Sequence, residues 1–359
     1  MSRPDIAVVY LARFAEGPDP IRKFIDSYKR HPAGIAHDLI IVWKGFRDLD
    51  PTGSPQKVIC AEVQHQSITM TDEGLDLTAY DIASRQIGHE FVCLLNTFSQ
   101  IRSDDWLLKF HNQISKPEVG IVGATGSYES LSFSMKLICK VMWMCINGIP
   151  YDPLYADVWP QEIVKHAPDW LMSARGKWWR RIAYERTGWR GKHPEHLHQS
   201  FESAWKVHGA QYIGFPDFPN PHIRSNAFAM RRELLLSMMP NRIVTKDEAF
   251  QFESGPQSVT AQLAERGQET LIVGADGAAY EKVRWRDSLA FRSGSQSNNL
   301  VGDNQTVAFD GMSVSQKRVM ESFTWGPILP GLVVPGQEAT IAGVGSAGAV
   351  LRSKRLFTR

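Results

Sequence analysis

The sequence predicts an α/β protein: a mostly parallel sheet flanked by helices, with a helical insertion. Short, continuous runs of apolar, β-branched residues recur through the first 125 positions, as in strands buried on both faces. Segments with apolar residues at helical spacing separate these runs. Strand and helix alternating at this spacing implies crossover units on a parallel sheet.

Residues 6–11 (IAVVYL) read as the first buried strand, and 39–43 (LIIVW) as the second. Between them Pro20 opens PIRKFIDSYKRH, where Ile21, Phe24, Ile25 and Tyr28 share one helical face. Residues 58–63 read as a shorter third strand, 77–87 as a helix, and 91–95 (FVCLL) as another buried strand. Ser103 reads as an N-cap, with Asp104 and Asp105 in the first turn of a helix through Gln113. Residues 119–122 close this series. From 131 to about 214 strand signals fade, and Trp, Met and basic residues dominate. The alternation then returns, with a strand running into a helix over 226–238, a helix over 258–266 and a strand over 270–273. Residues 294–299 and 336–348 read as loops.

Composition narrows the function classes. The 359 residues are 43% hydrophobic and 22% charged, a globular balance, and the net charge of +2 gives no chain-wide field for nucleic acid. Cys60, Cys93, Cys139 and Cys145 are spaced too widely for a zinc knuckle and read as buried free thiols. The N-terminal apolar run is too short for a signal peptide, with Asp5 before it and Arg13 after it. Lys136 and Lys140 interrupt the apolar stretch 131–149, which falls short of the roughly 20 residues a membrane span needs. The expectation is a cytoplasmic protein.

Three polar clusters could carry chemistry. The first, 71–83, reads TDEGLDLTAYDIA: Gly74 permits a turn, and Asp76 or Thr78 can cap the following helix. Such a junction beyond the carboxyl end of a strand suits a phosphate. The second, 215–228, has three prolines (Pro216, Pro219 and Pro221) that fix an extended loop, and it delivers His222, Arg224, Ser225 and Asn226 to one place. The third, 246–255, holds Asp247, Glu248 and Glu253.

In order and content these clusters resemble GT-A glycosyltransferases, Rossmann-like enzymes of which many belong to family 2. The resemblance covers about 200 residues and implies a nucleotide-sugar donor. It implies donor contacts from Ala12, Arg13, Asp72, Asp76 and Tyr80, with Asn96 and Ser99 facing the diphosphate-sugar. The family carries an acidic cluster at that last position for a divalent metal, Mg or Mn. Neutral Asn and Ser oxygens are weak ligands for such an ion. Either cationic or amide groups replace the metal, or acids elsewhere, such as Asp76, supply the site. The resemblance further implies an acceptor pocket shaped by His222, Arg224 and Asn226. Glu253 is the implied catalytic base, with Asp247 second.

The expected domains are a GT-A-like unit over 1–130 and 215–300, the insertion over 131–214 and a C-terminal appendage over 301–359. Within the insertion, residues 165–192 hold eight Lys or Arg against two acids, interleaved with Trp170, Trp178, Trp179 and Trp189. That composition fits a helical subdomain with a Trp core, a segment at the inner membrane face (through 131–192), or a groove for single-stranded nucleic acid. The expected activity is sugar transfer to a carbohydrate or lipid-linked acceptor in surface-polysaccharide assembly, with inversion. Two alternatives stand beside it, a non-catalytic nucleotide-sugar-binding relic and a nucleotidyltransferase. The residues 302–306, GDNQT, receive no role.

Overall fold

The structure is a computed structural model, which describes residues 4–46, 53–146, 194–240 and 243–326. The tryptophan-rich basic run 165–192, with most of the expected membrane segment, and the loop 336–348 lie outside the described residues.

The chain forms an eight-stranded mixed sheet in the order β11-β10-β6-β9-β4-β1-β2-β3. Its strands are β1 (Ile6–Arg13), β2 (Asp38–Lys44), β3 (Gln66–Met70), β4 (Phe91–Leu95), β6 (Val119–Gly123), β9 (Ala227–Arg231), β10 (Glu269–Val273) and β11 (Ala279–Glu281). Four short strands, β5 (Gln100–Ile101), β7 (Gly126–Ser127), β8 (His222–Ile223) and β12 (Val301–Gly302), pair off in two small ribbons. β1 lies parallel to β2 and β4, β2 to β3, and β6 to β10. β9 runs antiparallel between β4 and β6. The expected architecture, a mostly parallel sheet flanked by helices, is therefore present.

Both faces of the sheet are covered, which explains the uninterrupted apolar runs. Ile6, Val8 and Tyr10 of β1 face one core layer with Ile21, Phe24 and Ile25 of α1 (Pro18–Arg30), and Tyr10 stacks on Phe24 at 3.8 Å between ring centroids. Ala7, Val9 and Leu11 face the other layer, with Leu77, Ala79 and Tyr80. Each large side chain so buried contributes about 1.5–3 kcal/mol. Cys60, Cys93 and Cys139 are free and buried, as expected.

Three local expectations are corrected. Residues 55–60 form α2 (Pro55–Cys60), with Ser54 accepting from the Lys57 amide and proline at the first position, so 58–63 is not a strand. The third strand is β3, whose side chains are mostly exposed at the sheet edge and lack a buried strand's apolar run. Ser103 does not cap α4 (Trp106–Ile114): Asp105 takes that place at φ +54°, while the Ser103 hydroxyl bonds the Ala275 carbonyl at 3.2 Å. Neither Asp76 nor Thr78 caps α3 (Asp76–Gln86), because Leu75 is the N-cap and the Thr78 hydroxyl donates to the Ile243 carbonyl.

The described part of 301–326 packs into the main body. Trp325 lies in the second core layer and donates its indole N–H to the Phe291 carbonyl at 2.7 Å. No described helix is long and apolar enough to cross a membrane. The helix α5 (Leu131–Ile146) opens the expected insertion.

Candidate functional site

In a parallel sheet every strand delivers the residue after its last hydrogen bond to the same edge, the usual ligand edge of open α/β sheets. β1 ends in Arg13, β2 in Lys44 and β3 just before the Asp72 loop, while β9, running the other way, starts there behind Asn226. Pairing puts Ala12 and Arg13 beside Trp43 and Lys44.

Arg13 grips Asp72 with both arms of its fork, Nε to Oδ1 at 2.9 Å and Nη2 to Oδ2 at 3.0 Å. The third guanidinium nitrogen, Nη1, donates to Glu16 Oε1 at 3.3 Å. The hydrogen bonds from Arg13 hold the Asp72 carboxyl below the usual carboxylate range, assisted by the charges of Arg13 and Lys44. Lys44, with only 2% of its side chain exposed, donates to the Gly74 carbonyl at 2.6 Å and lies 3.6 Å from Asp72 Oδ1. Gly45 turns the chain at φ +76°, and a Cβ there would meet Asp72 Cβ at 3.0 Å, so glycine admits the Asp72 loop against β2.

Asp76 opens α3 on the same edge. Burial pushes its carboxyl above the ordinary range, with Lys44 and Arg13 pulling against that and Glu253 adding to it. Tyr80, one turn on, is fully buried and T-stacked on Phe228, and its hydroxyl has no hydrogen-bond partner. Burial also raises its phenol well above the usual value. Ala12 is buried in the core beneath the edge.

The Asn96 turn meets the start of β9. The Asn96 amide donates to the Asn226 carbonyl at 2.9 Å, and Asn96 Oδ1 accepts from the Phe98 amide and the Ser99 hydroxyl, each at 3.1 Å. The Ser99 hydroxyl is fully buried and lies 3.1 Å from the Asn226 carbonyl. Asn226 Oδ1 accepts from the Thr125 hydroxyl at 2.6 Å, leaving the buried Asn226 Nδ2 without a partner.

These bonds decide whether the turn suits a divalent metal. Asn96 Oδ1 and the Ser99 hydroxyl are both consumed inside the turn, and neither supplies a carboxylate. Among the described residues, no group of three His, Cys, Asp or Glu side chains converges to hold an ion. The described residues do not fit the metal that the family resemblance implies.

Glu253 sits in the last turn of the helix Lys246–Ser254, ahead of the helix Val259–Glu265. Its two oxygens accept from the Ser225 amide and the Ser225 hydroxyl, each at 3.2 Å. Ser225 adjoins Asn226, so one chain segment ties Glu253 to the Asn96 turn. Asp247 is exposed in the first turn of the same helix, six residues earlier and about 9 Å away along the axis. His222 is buried in β8 and donates Nδ1–H to the Asn220 carbonyl at 2.9 Å.

Arg224 is committed internally. Its Nη2 lies 2.8 Å from Asp303 Oδ2, Nη1 lies 3.3 Å from the Thr125 hydroxyl, and its guanidinium covers Phe291 at 4.0 Å. Asp303 in turn caps the helix Asn304–Asp310 through a capping box with Thr306. Burial pushes the Asp303 carboxyl up, but Arg224, the Thr306 amide and Arg292 outweigh it and hold it below the ordinary range. The unassigned stretch 302–306 is therefore a cap with a buried ion pair.

The edge thus gathers Arg13, Lys44, Asp72, Asp76, Asn96, Asn226 and Glu253. Sequence reasoning missed Lys44 and Thr125. Lys44 left one usable signal, a lysine closing a buried apolar run directly before glycine. Thr125 left none.

No family model matches the chain, and no curated protein does. Solved structures share part of it. Mannosyltransferase PcManGT from Pyrobaculum calidifontis, in complex with GDP-Man and Mn2+, is 17% identical over 34% of this chain and 36% of that one, with a TM-score of 0.28. Glucosyl-3-phosphoglycerate synthase from Mycobacterium tuberculosis is 12% identical over 33% and 42%, with a TM-score of 0.26. TarS from S. aureus is 14% identical over 33% and 21%, with a TM-score of 0.27. The chain spans less than half the length of each of these structures.

Proposed function

We propose that the protein is a glycosyltransferase, moving a sugar with inversion from a nucleotide-activated donor to a carbohydrate or lipid-linked acceptor. The observation that carries this reading is the Glu253 carboxylate, oriented at both oxygens by Ser225 and near enough to Asp76 that its charge, like those of Arg13 and Lys44, acts on that carboxyl. A base must reach the acceptor hydroxyl to act, and a carboxylate fixed in orientation costs less to align at the moment of reaction. In the proposed step the acceptor oxygen gives its proton to Glu253 and bonds to the anomeric carbon. The bond from that carbon to the diphosphate breaks, and its electron pair leaves with the diphosphate.

Surface-polysaccharide assembly, a cytoplasmic location and contact of 131–192 with the inner membrane face belong to the same proposal. The test is Glu253→Gln. Glutamine keeps one oxygen for the Ser225 amide, and the Ser225 hydroxyl can rotate to accept from the new NH2. Turnover of labelled nucleotide sugars should fall by 100-fold or more, since a positioned base contributes about 10²–10⁴. Donor binding, read by thermal shift, should persist. Near wild-type turnover would remove Glu253 from the reaction. A wild-type chain that binds donor and never turns over would be the non-catalytic relic.

A further inference from the structure

We propose that Arg13 and Lys44 form a metal-independent cradle for the donor's diphosphate, and that the Asp72 carboxylate holds the phosphate position until the donor displaces it. The inference rests on the transferase reading, because the diphosphate it binds is that of an activated sugar.

Three observations carry it. The Asn96–Ser99 turn is bonded to itself and offers no ligands for an ion, so charge on a bound diphosphate must be met elsewhere. Lys44 is a buried ammonium at the edge, and such a group is costly to keep unless a partner repeatedly meets it. Of its three donors, Gly74 takes one at 2.6 Å and Asp72 lies beyond hydrogen-bond length at 3.6 Å, leaving donor capacity next to the Asp72 carboxylate. The Arg13 fork already holds a planar anion, and a guanidinium binds carboxylate and phosphate in the same two-pronged way.

Asp72 is suited to leave. Its side chain is 45% exposed and that of Arg13 37%, so the pair is a surface ion pair of small net value. Both carboxylate oxygens sit on the nitrogens that a phosphate would take. On this account Asp72 is a competitor for the donor rather than a contact to it.

The test is calorimetric titration of UDP, GDP and dTDP into the full chain, in EDTA and again in excess Mn2+. The wild type should bind at least one of them with affinity unchanged by chelation. Asp72→Asn should tighten that binding about 3- to 5-fold, the scale of an exposed ion pair. Lys44→Met should weaken it about 10-fold or more, the scale of a charged hydrogen bond, and Lys44→Arg should recover part. Binding that needs Mn2+ overturns the cradle and leaves the transferase reading standing. Weaker binding by Asp72→Asn overturns the displacement. Absence of binding under both conditions overturns the cradle and the transferase reading together. The chelation arm uses the wild type alone, so a variant that fails to fold does not remove the test.

Discussion

Replacing Arg224 by Met should destabilise the protein severely, and the structure gives the size. Arg224 and Asp303 are paired at 2.8 Å with side-chain exposures of 9% and 1%. Met preserves much of the packing on Phe291 but removes the charge, leaving Asp303 buried with Arg292 and the Thr306 amide as its remaining support. Removing one partner of a buried pair costs about 3–5 kcal/mol, chiefly because the other charge stays desolvated. In a chain of this size each kcal/mol moves the melting temperature by about 2 °C, so a fall of about 6–10 °C is expected at pH 7. Asp303→Asn should also destabilise, although asparagine can still cap the helix Asn304–Asp310. The double variant should regain part of the loss, giving a coupling energy above about 1 kcal/mol. Because the folded Asp303 carboxyl lies below its ordinary value, its stabilisation exists above about pH 4 and is lost as pH falls through the folded value. The penalty of Arg224→Met should therefore shrink in acid, where the unpaired carboxyl takes a proton. Urea melts at pH 7 and pH 3 read both effects. A variant within 1 kcal/mol of wild type at pH 7, or a penalty unchanged at pH 3, would refute the reasoning.

Asp76 predicts the opposite pH signature. Its folded carboxyl is raised above the unfolded value, so its contribution is present below about pH 4 and is lost as pH rises through the raised value. Asp76→Asn should accordingly melt above wild type at pH 7 and match it in acid; equal melting temperatures at pH 7 would contradict the burial argument. Tyr80→Phe should leave donor binding unchanged in a thermal-shift titration and raise stability by up to about 1 kcal/mol, since the hydroxyl it removes is buried and unbonded. A loss of donor affinity in that variant would return Tyr80 to the site. Gly45→Ala should cost about 1–2 kcal/mol in urea melts, because it strains a positive φ and presses on Asp72; an unchanged midpoint would mean the loop yields freely.

The candidate site was legible where chemistry follows chain order. Arg13, Asp76, Asn96 and Glu253 stood at strand or helix ends in the sequence and stand together at one edge in the structure. Arg224 shows where such reading runs out. The family resemblance implied an acceptor contact for it, and no local signal pointed to its partner Asp303, which lies 79 positions away and is brought to it only by packing. The third strand was misplaced because an edge strand with exposed side chains carries little apolar signal, while the helix before it carries apolar residues at positions 58 and 59.

By itself the sequence determined the layered α/β architecture, because strands buried on both faces must be apolar throughout and helices on one face must repeat their apolar residues each turn. Tertiary structure alone decided which charges meet. Lys44 with Gly74, Asp72 with Arg13, and Glu253 with Ser225 are separated by 30, 59 and 28 positions. Hydrogen bonds and ion pairs depend on distance in space, and the sheet order that sets those distances is written in no local stretch of the chain.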